Sequence, residues 1–160
     1  NVGIKSQAEC LVTEKNTAAT MGSGALQVYA TPAMIALVEK AAWESVQPYL
    51  EEGCGTVGTE LRVKHLAATP VGLIVTARTE LIAVEGRKLV FKVEVFDQTG
   101  KIGEGEHERF IVANEKFFAK AQAKKNQYEP AKFNRALKKP KEPWVPSAFC
   151  FAVFAAGIGG

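Results

Sequence analysis

The alternation of apolar and polar positions predicts one long helix in the first third of the chain. An apolar run follows Pro32, interrupted by the acidic Glu39, and few helix breakers occur before Pro48. Thr31 is a favourable N-cap residue, and proline is favoured at the first helical position. The pattern therefore predicts a helix over residues 32–47 that starts behind a Thr31 cap.

Period-two alternation predicts five strands, one before the helix and four after it. Turn signals at Glu85-Gly86 and at residues 98–101 indicate hairpins. Within residues 56–65, one predicted face carries Val57, Thr59, Leu61, Val63 and His65, and the other carries Gly58, Glu60, Arg62 and Lys64. The predicted strands cover residues 3–14, 56–65, 73–84, 87–97 and 102–112.

Residues 16–24 are rich in small and turn-forming residues and are predicted to be a loop. Residues 115–128 are rich in alanine and lysine and are predicted to be helical. Short turns favour antiparallel pairing, and the long helix has only the sheet against which to bury its apolar face. We therefore expect an α+β fold in which an antiparallel sheet wraps around a central helix.

Composition is that of one globular domain. The chain has 160 residues, 47% hydrophobic and 23% charged, which is ordinary for such proteins. Neither a membrane span of roughly 20 apolar residues nor a signal sequence is recognisable. Cys10, Cys54 and Cys150 lie far apart, so neither a disulfide framework nor a zinc site is indicated. These features favour a cytoplasmic protein with no metal.

Charge is distributed unevenly along the chain. Residues 116–142 contain nine Lys/Arg and two Glu, which gives +7 within a chain whose net charge is +3. Residues 129–160 are basic and proline-rich and then apolar, and we expect an irregular tail after a domain over residues 1–128. Such a tail could attract nucleic acid. A solvated tail is the simpler interpretation, and no nucleic-acid partner is predicted.

Glu39 is the unusual residue of the predicted helix. Helical spacing places it beside Ile35, Ala42 and Val46, on an apolar stripe. A carboxylate there is either buried with a partner, at work in a site, or solvated at the edge of the stripe next to Lys40. Helical spacing leaves these three alternatives open.

Four residues carry functional groups that are used in acyl-transfer reactions. Thr31 offers a hydroxyl, Glu39 a carboxylate, His65 an imidazole and Arg109 a cation. The N-terminus of the helix would add backbone N–H groups for an oxyanion. Each residue also has an ordinary structural explanation, as a cap, a strand end or an ion pair.

An ordered set of stretches resembles the fluoroacetyl-CoA thioesterase-like branch of the hotdog-fold thioesterases. The stretches are YATPAMIALVEKAA, GTVGTELRVKHLAATPVG, LIAVEGRKLVFKVEVFD and KIGEGEHERF, followed by EKF. The resemblance covers roughly residues 3–125. It implies a hotdog fold and a homodimer, or a dimer of dimers, with the active site at the subunit interface.

The resemblance also implies the site residues and the reaction. Thr31, Glu39 and His65 match the family's catalytic residues, and Gly58 and Arg109 match its substrate-binding residues. The implied activity is hydrolysis of an acyl-CoA thioester, with no cofactor beyond the CoA of the substrate. Glu39 would act as nucleophile or general base, and the sequence leaves open whether Thr31 or Glu39 forms a covalent bond. A non-catalytic acyl-CoA-binding module and a hotdog hydratase are the alternatives.

One segment departs from the family. Members specialised for fluoroacetyl-CoA carry aromatic residues ahead of the nucleophile, as a hydrophobic lid. Residues 21–26 of this chain read MGSGAL and are mostly small. A short- or medium-chain acyl-CoA is therefore the expected substrate.

Overall fold

One antiparallel sheet and one long helix make up most of the structure, a computed structural model that describes residues 2–128. The strands are β1 Lys5–Leu11, β2 Cys54–His65, β3 Ile74–Glu85, β4 Lys88–Phe96 and β5 Lys101–Ala113. The helices are α1 Ala18–Met21, α2 Thr31–Val46 and α3 Asn114–Gln127. The predicted long helix and all five predicted strands are present, with ends shifted by a few residues.

The sheet has the order β1-β3-β4-β5-β2, and every neighbouring pair is antiparallel. Tight turns join β3 to β4 and β4 to β5, as the hairpin signals predict. Gly86 occupies the first turn with a φ of 61°, where a side chain would be strained. This order leaves β1 and β2 at the two edges of the sheet.

The core lies between α2 and the inner face of the sheet, and α2 packs against β1, β2, β3 and β4. Met34, Val38 and Ala41 of the helix are fully buried against Val75 and Val95 of the sheet. The sheet therefore wraps around a central helix, which is the predicted α+β architecture.

The start of α2 differs from the prediction. The N-cap residue is Ala30, and no side chain caps the helix. Thr31 is the first helical residue, so its hydroxyl is free for another partner. The prediction of a Thr31 cap was wrong because proline is tolerated throughout the first turn, and the pattern alone could not tell Pro32 at the first position from Pro32 at the second.

The two faces of β2 also differ from the prediction. A β-bulge between Gly58 and Glu60 inserts Thr59 as an extra residue opposite β5. A bulge of this kind reverses the alternation of side chains on either side of it. Gly58 therefore faces α2 together with Leu61, although simple alternation predicts that they face opposite ways.

The segment predicted as a loop is partly helical. A short 3₁₀ turn covers Glu14–Asn16, and α1 follows behind a Thr17 cap. Thr17 is fully buried and its hydroxyl lies 2.9 Å from Oε1 of Gln27. The side-chain hydrogen bonds of Thr17 thus anchor a segment that composition suggested would be irregular.

Some predictions fall on residues outside the described range. The tail over residues 129–160 and Cys150 lie there, so the boundary after residue 128 stays a prediction. By internal contacts the chain separates into Asn1–Lys120, which holds the sheet and α2, and Ala121–Gly160. In the described residues, no helix is both long and apolar enough to cross a membrane.

Candidate active site

Thr31 and His65 form the first part of the candidate site. Oγ1 of Thr31 lies 2.8 Å from Nδ1 of His65, which joins the first residue of α2 to the last residue of β2. A hydroxyl paired with an imidazole can lose its proton to the ring or receive one from it. The pair therefore has the chemistry of acyl transfer that the sequence predicted for these two residues.

The second ring nitrogen of His65 has no partner. Nε2 is buried and makes no hydrogen bond in the described structure. Burial lowers the pKa of His65, and the backbone of Ala67 opposes part of that decrease. The ring is consequently neutral at physiological pH, which is the state a general base requires.

A cleft of about 340 Å³ opens beside this pair. Its walls include the small side chains of Ala18, Ser23 and Ala67, and the ring of Tyr29. Tyr29 is buried, and its hydroxyl lies 3.2 Å from Sγ of Cys10. Burial raises the pKa of the Tyr29 phenol, so the phenol stays neutral. The cleft is therefore uncharged apart from the groups that could react.

Glu39 and Arg109 form the second part of the candidate site. Oε1 of Glu39 lies 3.4 Å from a terminal nitrogen of Arg109, which is almost completely buried, whereas the Glu39 side chain is 39% exposed. Glu39 thus lies at the edge of the apolar stripe and has a partner. Its other oxygen, Oε2, makes no hydrogen bond in the described residues and is free to react.

Gly58 lies directly against the Glu39 carboxylate. A Cβ atom added to Gly58 would collide with Oε1 of Glu39 and would lie 3.2 Å from Cε1 of His107. A larger residue here would have to push the end of the Glu39 side chain aside, and the effect is one of space because Gly58 is absent from the residues with positive φ. The bulge that turns Gly58 inward also makes this close approach possible.

His107 belongs to the same cluster and was not predicted from the sequence. It is fully buried on β5, and its Nε2 lies 3.1 Å from Arg109 and 3.9 Å from Oε1 of Glu39. Burial lowers its pKa, and the charge of Arg109 lowers it further. Its position two residues before Arg109 on a strand was an available signal, because alternate residues share a face.

The five predicted site residues form two separate groups within one chain. Thr31 pairs with His65, whereas Glu39 contacts Arg109 and lies against Gly58. Within residues 2–128, no hydrogen bond or ion pair joins the two groups. Thr31 and Glu39 are eight positions apart on α2, which is a rise of about 12 Å.

No group of His, Cys, Asp or Glu side chains in the described part of the chain is arranged to hold a metal ion. The expectation that the protein needs no cofactor remains a prediction.

Comparison with known proteins identifies the family. The model of the fluoroacetyl-CoA-specific thioesterase family matches residues 12–115. The chain belongs to this family. A fluoroacetyl-CoA thioesterase from Streptantibioticus cattleyicolor is 47% identical over 98 residues, which are 61% of this chain and 70% of that protein.

Solved structures agree with this assignment. The fluoroacetyl-CoA thioesterase FlK is 38% identical with a TM-score of 0.73, over 78% of this chain and 96% of that one. A Thermus thermophilus protein of the thioesterase superfamily is 29% identical with a TM-score of 0.74, over 79% of this chain and 94% of that one. The predicted hotdog fold and the predicted enzyme class, thioester hydrolase, are therefore confirmed.

Proposed function

We propose that the protein hydrolyses a short- or medium-chain acyl-CoA to the free acid and CoA. The observation that carries this proposal is the 2.8 Å contact between the Thr31 hydroxyl and His65 at the side of the cleft. Membership of a thioesterase family supports the reaction type. The small side chains of the cleft support an acyl group larger than that of fluoroacetyl-CoA.

In this proposal the free oxygen of Glu39, Oε2, acts on the thioester carbonyl. Arg109 holds Oε1, so the carboxylate presents its other oxygen. As general base, Oε2 takes a proton from water while the water oxygen attacks the carbonyl carbon. As nucleophile, Oε2 attacks the carbonyl carbon itself and the C–S bond breaks to release the CoA thiolate, and water then cleaves the resulting anhydride.

His65 serves the leaving group in either route. Its Nε2 is the ring atom without a partner, so it can give a proton to the departing CoA sulfur or position the attacking water. Thr31 fixes the ring through Nδ1 and orients the substrate carbonyl. The backbone N–H of Gly58 helps to hold the carbonyl oxygen.

We further propose that the working site combines Thr31 and His65 of one chain with Glu39 and Gly58 of a second chain. Gly58 and His65 are seven residues apart on β2, which separates them by roughly 20 Å along one strand. Among the strands of the described residues, β2 lies at the end of the sheet order and its outer edge is unpaired. If two copies paired their β2 edges antiparallel with Arg62 opposite Arg62 of the partner subunit, the extra residue Thr59 would bring Gly58 opposite His65 of the partner subunit.

The test is release of free thiol from a panel of acyl-CoAs of increasing chain length. Wild type is compared with Glu39→Gln and His65→Ala, and with Glu44→Gln as a control. Glu44 is an exposed glutamate on the same helix, so its substitution matches the loss of charge without touching the site. Turnover that is lost in the first two variants and kept in the third is the expected result.

Absence of turnover on every acyl-CoA by folded wild type would overturn the proposal. Tight acyl-CoA binding in that case would identify a binding module. A single turnover in heavy-oxygen water can identify the nucleophilic route, because label enters the Glu39 carboxylate only when water attacks the Glu39 carbonyl of the anhydride.

A further inference from the structure

The hydrogen bonds of His107 define its protonation state. Nδ1 lies 2.9 Å from the backbone oxygen of Glu60, and a carbonyl oxygen can only accept, so Nδ1 carries a proton. Nε2 lies 3.1 Å from Arg109, and a guanidinium can only donate, so Nε2 carries a lone pair. His107 is therefore a neutral ring with one defined tautomer, and both of its nitrogens are engaged.

Arg109 is held at every nitrogen. Nε donates to Oγ1 of Thr56 at 2.8 Å, and Nη2 donates to the backbone oxygen of Thr56 at 2.9 Å. Nη1 donates to Nε2 of His107 and to Oε1 of Glu39. The guanidinium is thereby fixed in one plane, with one N–H of Nη1 directed at the carboxylate.

The β2 bulge provides the acceptor for His107. Glu60 resumes the pairing with β5 directly after the extra residue Thr59. Phe91 of β4 lies against the other side of the ring, with ring centroids 6.3 Å apart. His107 is thus held between β2 and β4, and its Nε2 lies 3.9 Å from Oε1 of Glu39 on α2.

We propose that His107 is a positioning residue for Glu39: as a neutral acceptor it holds the guanidinium of Arg109 in the orientation that fixes the Glu39 carboxylate. This inference rests on the proposed function, in which Glu39 acts on the thioester. His107 contacts no substrate in this scheme and acts through Arg109. A protonated His107 could not accept from Arg109 and would place a second cation against it, so the arrangement requires the neutral ring.

Two substitutions each remove one of the two hydrogen bonds of His107. In His107→Gln the amide oxygen can take the place of Nε2 and accept from Arg109, whereas the donor to Glu60 is lost. In His107→Asn the amide nitrogen can take the place of Nδ1 and donate to Glu60, whereas the acceptor for Arg109 is lost. Both replace a buried ring by a smaller polar side chain, so the two variants serve as controls for each other.

The positioning role predicts that kcat depends on whether residue 107 can accept a hydrogen bond from Arg109. We expect His107→Asn to lose on the order of 10- to 100-fold in kcat, because a misplacement of about 1 Å in a catalytic group can cost 10²-fold. We expect His107→Gln to keep most of its kcat, and KM to change little in either variant. Phe91→Leu, which removes the ring contact and none of the hydrogen bonds, should lose thermal stability and keep kcat.

Equal kcat values in the two His107 variants, or a kcat that simply follows the melting temperature across all three variants, would overturn the inference. Absence of thiol release by wild type would overturn the proposed function instead. In that case nitrogen-15 NMR still tests the inference about His107, because it does not depend on activity. The chain has two histidines, so the spectrum of His65→Ala assigns the signals of each.

The NMR experiment has two readouts. The expected spectrum shows His107 with a proton on Nδ1 and a bare Nε2 at the ordinary histidine pKa of about 6.5 and below it, because burial lowers the pKa of this ring. The Arg109 guanidinium should show slow rotation in wild type and in His107→Gln and faster rotation in His107→Asn. The inference would be contradicted if the His107 ring became an imidazolium near the ordinary histidine pKa. It would also be contradicted if neither substitution changed the rotation rate of the Arg109 guanidinium.

Discussion

The hydroxyl of Thr31 lies 2.8 Å from Nδ1 of His65, although the two residues are 34 positions apart in the chain. Thr31 begins α2 and His65 ends β2, so the contact exists only because the helix starts over the end of that strand. Since Ala30 is the N-cap residue, the Thr31 hydroxyl is not used by the helix. The hydroxyl is therefore available for chemistry.

Thr31→Val removes the hydroxyl and keeps the shape of the side chain. Loss of a group that orients the reacting atoms should lower kcat by about 10²-fold. Stability should change by less than about 0.5 kcal/mol, which is typical of an exposed site, rather than by the roughly 1 kcal/mol that loss of a cap costs. Acyl-CoA kinetics and thermal unfolding measure the two effects.

Thr31→Ser is the matched control, because it keeps the hydroxyl and should keep most of the activity. If Thr31→Val lost about 1 kcal/mol of stability and no activity, the result would indicate that Thr31 caps the helix and has no part in the reaction.

The lowered pKa of His65 predicts how activity depends on pH. The neutral ring is the active form when it positions water, so activity should persist below the ordinary histidine pKa of about 6.5 and fall only at lower pH. The kcat of wild type measured against pH tests this. An acid limb at or above the ordinary value would show that His65 is not the titrating group.

The same shift contributes to stability with a defined sign. A histidine whose pKa is lower in the folded than in the unfolded state binds more protons when unfolded. Its stabilising contribution is complete above about pH 6.5 and is lost as pH falls through the folded pKa. The melting temperature should therefore decrease less in His65→Ala than in wild type over this acidic range.

Gly58→Ala tests the close approach of β2 to Glu39. The new Cβ would displace the carboxylate from Arg109, so kcat should fall on the order of 10²-fold while the fold is kept. A double-mutant cycle with Glu39→Gln provides the control. If Gly58 acts through Glu39, the alanine should have little further effect in the Glu39→Gln background.

Ser23→Phe should narrow the cleft, because Ser23 is one of its lining residues. We expect the ratio of kcat/KM for a medium-chain to a short-chain acyl-CoA to fall about 10-fold or more, since single methylene groups are discriminated by such factors. Ala25→Phe is the control: Ala25 is exposed in the same segment and is not among the residues that line the cleft. An equal effect of both substitutions would show that the cleft does not hold the acyl chain.

Complementation tests the site shared between two chains. Thr31→Val and Glu39→Gln subunits are co-expressed with different tags and purified as mixed dimers. In a two-fold symmetric dimer with shared sites, each mixed dimer has one site with both wild-type residues, so activity should return to about half of wild type. Mixed dimers as inactive as the two parent variants would place each complete site within one chain.

The local pattern of the sequence was sufficient for the main elements, although it predicted a loop where α1 lies. The long helix, all five strands and both hairpins were predicted, because helix and strand periods depend on neighbouring residues only. The resemblance to a thioesterase family also identified the fold and enzyme class. The prediction failed where a single extra residue, Thr59, broke the period, and alternation then placed Gly58 on the wrong face of β2.

The sequence by itself determined which chemical groups this protein possesses and on which elements they lie. Tertiary structure alone decided which of them meet: Thr31 with His65, Glu39 with Arg109 and Gly58, and His107 with both Arg109 and Glu39. The physical reason is that a hydrogen bond between distant residues depends on sheet register and on where α2 crosses the sheet, and neither is encoded in any one stretch of the chain. Burial, which lowers the pKa of both histidines, likewise arises only when the sheet closes around the helix.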